Sequence, residues 1–212
     1  MELNVIQKIC VYALPILFAI TVHEAAHGYV AKYFGDLTAD RMGRISLNPL
    51  KHIDPFGTIL LPAVTVMLGG ILFGWAKPVP VNFANLHNPK KDMLWVAAAG
   101  PAANFLMAIF WALIIRLSVN VPETIAYPLA LMGNAGVSIN VVLMVLNLLP
   151  LPPLDGGRIA VSLLPHDLAQ PFAQIERYGF IILIVLLFTG VLGKILMPVI
   201  GLVNSLIFGL LG

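Results

Sequence analysis

Predominantly apolar stretches long enough to cross a bilayer recur along this chain, and they exclude most of the folds open to it. About 20 helical residues span ~30 Å of hydrocarbon. Inside that solvent only helices and closed barrels can satisfy their own backbone hydrogen bonds. Such stretches run over residues 5–34, 56–75, 93–118 and 127–149, and the tail 178–211 has Lys194 as its one charge. Their length and lack of strict alternation predict helices. Composition agrees: 59% of residues are hydrophobic, 10% are charged and mean hydropathy is +0.94. A soluble domain carries roughly 45–50% apolar and about 25% charged residues. The expected fold is an all-α polytopic membrane protein with about four or five transmembrane helices. With no internal repeat, low-complexity tract or linker, residues 1–212 read as a single domain.

Several functional classes drop out at once. A net charge of +2, with no basic run beyond Lys90-Lys91, gives nucleic acid nothing to bind. The single cysteine, Cys10, excludes an intrachain disulfide and any thiolate zinc cluster. Residues 9–22 could pass for a secretory signal, but they run straight into His23 and Glu24 without a cleavage site. They are read as a retained membrane helix.

Chemistry concentrates at His23-Glu24-Ala25-Ala26-His27, near the end of the first apolar stretch. On a helix, residues i and i+4 lie one above the other on the same face. Two imidazoles so placed can bind one zinc ion, with the intervening glutamate as general base toward water. The plainer alternative is a helix end whose polar residues sit at the membrane interface. Ionisable groups at membrane depth are costly, however, and are normally paired, ligated or turned toward a watery cavity.

A catalytic zinc needs a third protein ligand and an open position. His52, His87 and His166 lie in polar stretches and read as surface residues. Asp155 is the better candidate. It follows Asn147-Leu148-Leu149-Pro150-Leu151-Pro152-Pro153-Leu154, where prolines end a helix, and precedes Gly156-Gly157, where glycines free the backbone. By spacing alone this is an ordinary Asp-Gly-Gly turn; its position at the end of an apolar helix favours a ligand.

The pairing of H-E-x-x-H with N-x-x-P-x-P-x-L-D-G closely resembles the site-2 protease family of intramembrane zinc metalloproteases. The match extends over residues 21–158, including the block Ala99-Gly100-Pro101-Ala102-Ala103-Asn104. The resemblance implies that His23, His27 and Asp155 hold one zinc, that Glu24 is the catalytic base and acid, and that Asn147 lies near the reacting carbonyl as an oxyanion donor. Asn104 would either bond toward the site or join helices. Residues 74–82 fall where the family has an extended segment beside the site, an edge to which a substrate strand could add. Unlike larger members, the chain shows no PDZ module, nucleotide-sensing appendage or helix before the motif helix.

Topology supplies a parity test. His23 and His27 lie near the end of the first stretch and Asp155 at the end of the fourth, so both stretches must run the same way. One stretch between them then fails to cross, and 56–75, with Pro62 and Gly69-Gly70, is the natural re-entrant hairpin. Residues 40–54 read as short extended segments at the surface. With the hairpin, Lys8, Arg116 and Lys194 face one side and the other nine of the 12 basic residues face the opposite side. The positive-inside rule then turns the site toward the cytoplasm, and the compact form points to a prokaryotic cell membrane.

The expected activity is hydrolysis of peptide bonds in or near transmembrane segments, as in regulated intramembrane proteolysis. Its partners would be a membrane-protein substrate and lipid, with no nucleic acid. The rivals are a metal-ion transporter, which has no use for Glu24, and an inactive scaffold, which has no need of an intact motif.

Overall fold

The computed structural model describes residues 4–60 and 76–211, and these form a bundle of helices. Helix α1 spans Val5–Tyr33. At its start the Asn4 side chain accepts from the Gln7 N–H, and Gln7 returns a bond to the Asn4 N–H, both at 2.9 Å. This reciprocal cap satisfies two donors that a helix start leaves without partners. A short α2 covers Thr38–Arg41, followed by a 3-10 turn at Pro49–Lys51. Two long helices come next, α3 at Pro89–Ser118 and α4 at Glu123–Asn147. Four more complete the chain: α5 (Asp155–Leu163), α6 (His166–Ala173), α7 (Glu176–Phe188) and α8 (Val191–Leu211).

Among the described residues, four segments are long and apolar enough to cross a membrane: Ile9–Tyr33, Pro89–Ser118, Glu123–Asn147 and Val191–Leu210. Helices α6 and α7, bent by 62° at their junction, make a fifth if the pair is one broken span. The chain is an integral membrane protein. On α3 the outer face shows why: Leu106, Phe110, Leu113 and Leu117 are exposed at helical spacing, where lipid would cover them. The inner face of the same helix carries Gly100, Asn104, Ala108 and Trp111, all buried.

Among the described residues, helices α3 and α4 make the most extensive contact. Two glycines of α4 allow it: a Cβ on Gly136 would run into the Trp111 ring, and one on Gly133 into the Ile115 side chain. Small residues let membrane helices approach closely where no aqueous hydrophobic effect drives them together. Trp111, Ala108, Val137, Val141 and Met144 then form the core, joined by Leu192, Leu196 and Ile207 of α8.

Contacts fix the directions. Along α1, His27 meets Val96 of α3, His23 meets Asn104 and Ala19 meets Asn104. Asn104 in turn meets Asn140 of α4, and Trp111 meets Gly136. Each pair is antiparallel, so α1 and α4 run the same way, as the parity argument requires. Tyr33 and Pro89 therefore lie at one end of the bundle. The expected hairpin falls largely on residues 61–75, outside the described part of the chain; Pro55–Leu60 form a π-helical turn.

One local reading changes. Residues 40–54 wind partly into helical turns, because Asn48 caps the Leu50 N–H at 3.0 Å and Pro49 occupies the first helical position. That start signal outweighs the alternation of apolar residues. The tail contains two helices, divided at Gly190, whose φ of 73° lies in the left-handed region open to glycine.

Candidate metal centre

His23 and His27 project from α1, and Asp155 opens α5, after the proline-rich loop that leaves α4. The structure brings the three together. Their Nε2 atoms are 3.1 Å apart, with Asp155 Oδ2 3.3 Å from His23 Nε2 and Asp155 Oδ1 3.4 Å from His27 Nε2. All three could offer one ligand atom to a common ion.

The other ring nitrogen of each histidine is taken. His23 Nδ1 lies 2.6 Å from Asn104 Oδ1, and His27 Nδ1 lies 2.7 Å from the Val96 carbonyl. A carbonyl can only accept, so His27 Nδ1 is the donor. The Asn104 amide is oriented by its neighbours. Its Nδ2 donates to Asn140 Oδ1 at 2.9 Å and to the Ala19 carbonyl at 3.2 Å, and Asn140 Nδ2 donates to the Gly136 carbonyl at 2.8 Å. Asn104 Oδ1 must then accept from His23 Nδ1–H. Both imidazoles are thus fixed as the tautomer whose Nε2 bears a lone pair.

Two lone pairs and a carboxylate consequently face one another at low exposure. Asp155 Oδ2 is buried without a hydrogen-bond donor among the described residues. Such an arrangement is unfavourable until a cation occupies its centre. Bonds of about 2.0–2.1 Å in a tetrahedral zinc site place neighbouring donors ~3.3 Å apart, close to the spacing found. Gly100 provides the room, since a Cβ there would lie 2.5 Å from His23 Cε1 and 2.5 Å from His27 Nε2. The residues fit zinc.

A cavity of about 210 Å³ opens over the three groups, lined also by Glu24, Val79, Phe83, Asn147 and Arg158. Glu24 Oε2 accepts the Val79 N–H at 2.7 Å. Asn147 donates one amide hydrogen to the Leu143 carbonyl at 3.0 Å, which leaves a second available. Arg158 stacks over Phe83 at 5.0 Å. The other histidines stay away from the site. His87 and His166 are exposed as expected, whereas His52 is buried, with Nε2 2.8 Å from the Ser46 carbonyl. Its polar neighbours Lys51 and Asp54 gave no hint that a loop carbonyl would enclose it.

Sequence reasoning left Asn140 out altogether and gave Asn104 two rival roles. Asn104 fills both, since it bonds His23 and joins three helices. The available signal for Asn140 was its cost, an amide at the centre of a span. Residues 76–82 have no regular secondary structure, and within this segment, read as an edge to which a substrate strand could add, the Val79 N–H is engaged by Glu24.

The chain is similar to known proteins along most of its length. The profile of Peptidase family M50 matches residues 11–136 and 123–190. The chain is 40% identical over 189 residues to "Putative zinc metalloprotease YwhC" of Bacillus subtilis (strain 168), covering 87% of this chain and 83% of that protein. It is 32% identical over 180 residues to "Putative zinc metalloprotease Rip2" of Mycolicibacterium smegmatis, covering 84% of this chain and 66% of the relative. For the protein of that name in Mycobacterium tuberculosis (strain H37Rv), identity is 28% over 175 residues, covering 80% of this chain and 63% of the relative. No solved structure matches the chain.

Proposed function

The chain belongs to peptidase family M50, and from that premise we propose that it is a zinc metalloendopeptidase cutting peptide bonds within or beside the transmembrane segments of other membrane proteins. The observation that carries the reading is the convergence of His23 Nε2, His27 Nε2 and Asp155 beneath a cavity that also holds Glu24. In this reading each chain holds one zinc ion on those three residues.

Zinc, when bound, supplies a Lewis acid that polarises the scissile carbonyl and acidifies water. The chain's own groups do the rest. Glu24 takes a proton from the attacking water and passes it to the leaving amine. With Oε2 held by Val79, Oε1 is the oxygen free for that transfer. Asn147 turns its unused amide hydrogen toward the carbonyl oxygen as negative charge develops there. Helices α1, α3 and α4 exclude lipid and bulk water from the reacting groups, which strengthens each polar contact. A substrate helix must unwind locally to expose its amide to this cavity.

The surplus of Lys and Arg at the His23 end of the bundle supports a site that faces the cytoplasmic side of the cell membrane. Fitting substrates are membrane-anchored regulators cut in regulated intramembrane proteolysis, or the membrane remnants of cleaved precursors.

The test is cleavage of a model single-span peptide by purified protein, with and without chelator. Wild type should cut and should stop when zinc is removed. Glu24→Gln should retain zinc while activity falls by about 10³-fold or more. Asp155→Ala should lose both zinc and activity. Undiminished cutting by Glu24→Gln would end the base assignment, and metal binding without cleavage in every protein would favour ion handling instead.

A further inference from the structure

Residues 77–82 form an extended strap along one wall of the cavity. Pro78 and Pro80 fix their own φ and hold the residues before them, Lys77 and Val79, in extended conformations. The strap is therefore stiff before it touches anything. It is also anchored at both ends. The Lys77 N–H donates to the His52 carbonyl at 2.9 Å, and Arg44 Nη2 donates to the Lys77 and Pro78 carbonyls, each at 3.1 Å. At the other end the Asn82 N–H donates to Asp36 Oδ2 at 2.7 Å.

Asp36 is fully buried. Burial would raise its carboxyl, but hydrogen bonds from Thr38, Asn85 and Asn82 outweigh that and hold the group below its ordinary value. It remains a charged acceptor for the strap. Midway, the Val79 side chain is buried against Gly28, where an added Cβ would lie 3.1 Å from Val79 Cγ1.

Prolines carry no N–H, so Val79 offers the one backbone donor between Lys77 and Val81. That donor goes to Glu24 Oε2 at 2.7 Å. We infer that the strap is a positioning device for the catalytic base: the Val79 N–H fixes one oxygen of Glu24 so that the other meets water at a single place. A glutamate facing a cavity otherwise samples several rotamers, and ordering it costs conformational entropy at each turnover. A hydrogen bond from a rigid segment to an ionised carboxylate removes that freedom in advance. The inference rests on the reading of Glu24 as the base.

Val79→Pro tests it in the full-length protein, because it deletes the donor while keeping a three-carbon side chain and an extended backbone. Against a single-span peptide that wild type cuts, kcat should fall about 10- to 100-fold, with KM and bound zinc within about twofold of wild type. Val79→Ala keeps the donor but trims the cavity wall, so its loss should appear in KM. Hydrogen exchange gives a readout independent of activity: the Val79 amide should exchange about tenfold faster in Glu24→Ala than in wild type.

Wild-type kcat in Val79→Pro, with Glu24→Gln inactive, overturns the inference and leaves the proposed function standing. Full activity in Glu24→Gln removes the base assignment and the inference together. If Val79→Pro loses zinc and unfolds, Arg44→Gln decides, since it frees the strap from outside the cavity. Lower kcat with retained zinc and a faster Val79 amide supports positioning; unchanged kcat and exchange overturn it.

Discussion

His23 and His27 are held by polar atoms around them, whereas Asp155 is held by the shape of the backbone that delivers it. On the histidine side each ring has a partner at its far nitrogen, Asn104 for His23 and the Val96 carbonyl for His27. On the aspartate side Oδ2 is buried with no donor among the described residues. What aims Asp155 is a loop packed backbone to backbone. A Cβ on Gly156 would strike the carbonyls of Leu148 and Leu149, and one on Gly157 would strike the backbone at Leu151 and Pro152. Gly179 of α7 similarly receives the Pro152 carbonyl. Helix spacing can pair two ligands on one face, but a ligand from another part of the chain needs a path of defined shape.

The largest effect should follow from filling that path. In Gly156→Ala the obstacle is backbone, which cannot swing aside. The variant should lose zinc and about 1–3 kcal/mol of stability as well. Gly100→Ala meets imidazoles instead, and side chains can turn away. It should lose zinc while thermal unfolding of the metal-free protein stays within about 1 kcal/mol of wild type. Zinc content and thermal scans of both variants check the contrast. Normal zinc binding by Gly156→Ala would break the backbone account of Asp155.

The same contrast explains what could be read in advance. The i,i+4 pair His23 and His27 was legible because helix geometry alone brings those residues together. Asp155 was legible because prolines and glycines mark a shaped loop at the end of a span. The helical class followed from apolar length, and the same direction of α1 and α4 from the need for one site. Asn140 was not legible as a site residue, since its partner lies on α3 and only packing brings the two amides to 2.9 Å. The strap was legible as an extended segment, but not that its Val79 N–H meets Glu24. Proline spacing shows how many donors a segment has; only the tertiary structure shows which carboxylate they face.

An intermediate effect is expected at Asn104. Asn104→Leu removes the acceptor of His23 Nδ1–H while keeping a similarly branched side chain, so the ring is no longer fixed in its tautomer. Zinc affinity should fall about 10- to 100-fold, the usual consequence of removing a partner behind a metal-ligating histidine. Competition with a zinc chelator measures it. No counterpart exists behind Asp155, so a side-chain substitution of equal leverage on that side is not expected among the described residues. An unchanged affinity would mean that α1 alone orients His23.

The smallest effect belongs one step farther out and asks whether the buried amides act as a chain. Asn140 touches neither histidine; it accepts from Asn104 Nδ2 and is anchored by the Gly136 carbonyl. If its role is to keep Asn104 the right way round, Asn140→Leu should weaken zinc binding by only about 3- to 10-fold, because the Ala19 carbonyl still holds the same amide. The decisive comparison is the double variant. Residues in one hydrogen-bonded network couple, and residues acting independently add. In the Asn104→Leu background, Asn140→Leu should therefore cost almost no further zinc affinity. Equal losses in both backgrounds would assign Asn140 to the packing of α3 on α4, and the histidine side of the site would end at Asn104.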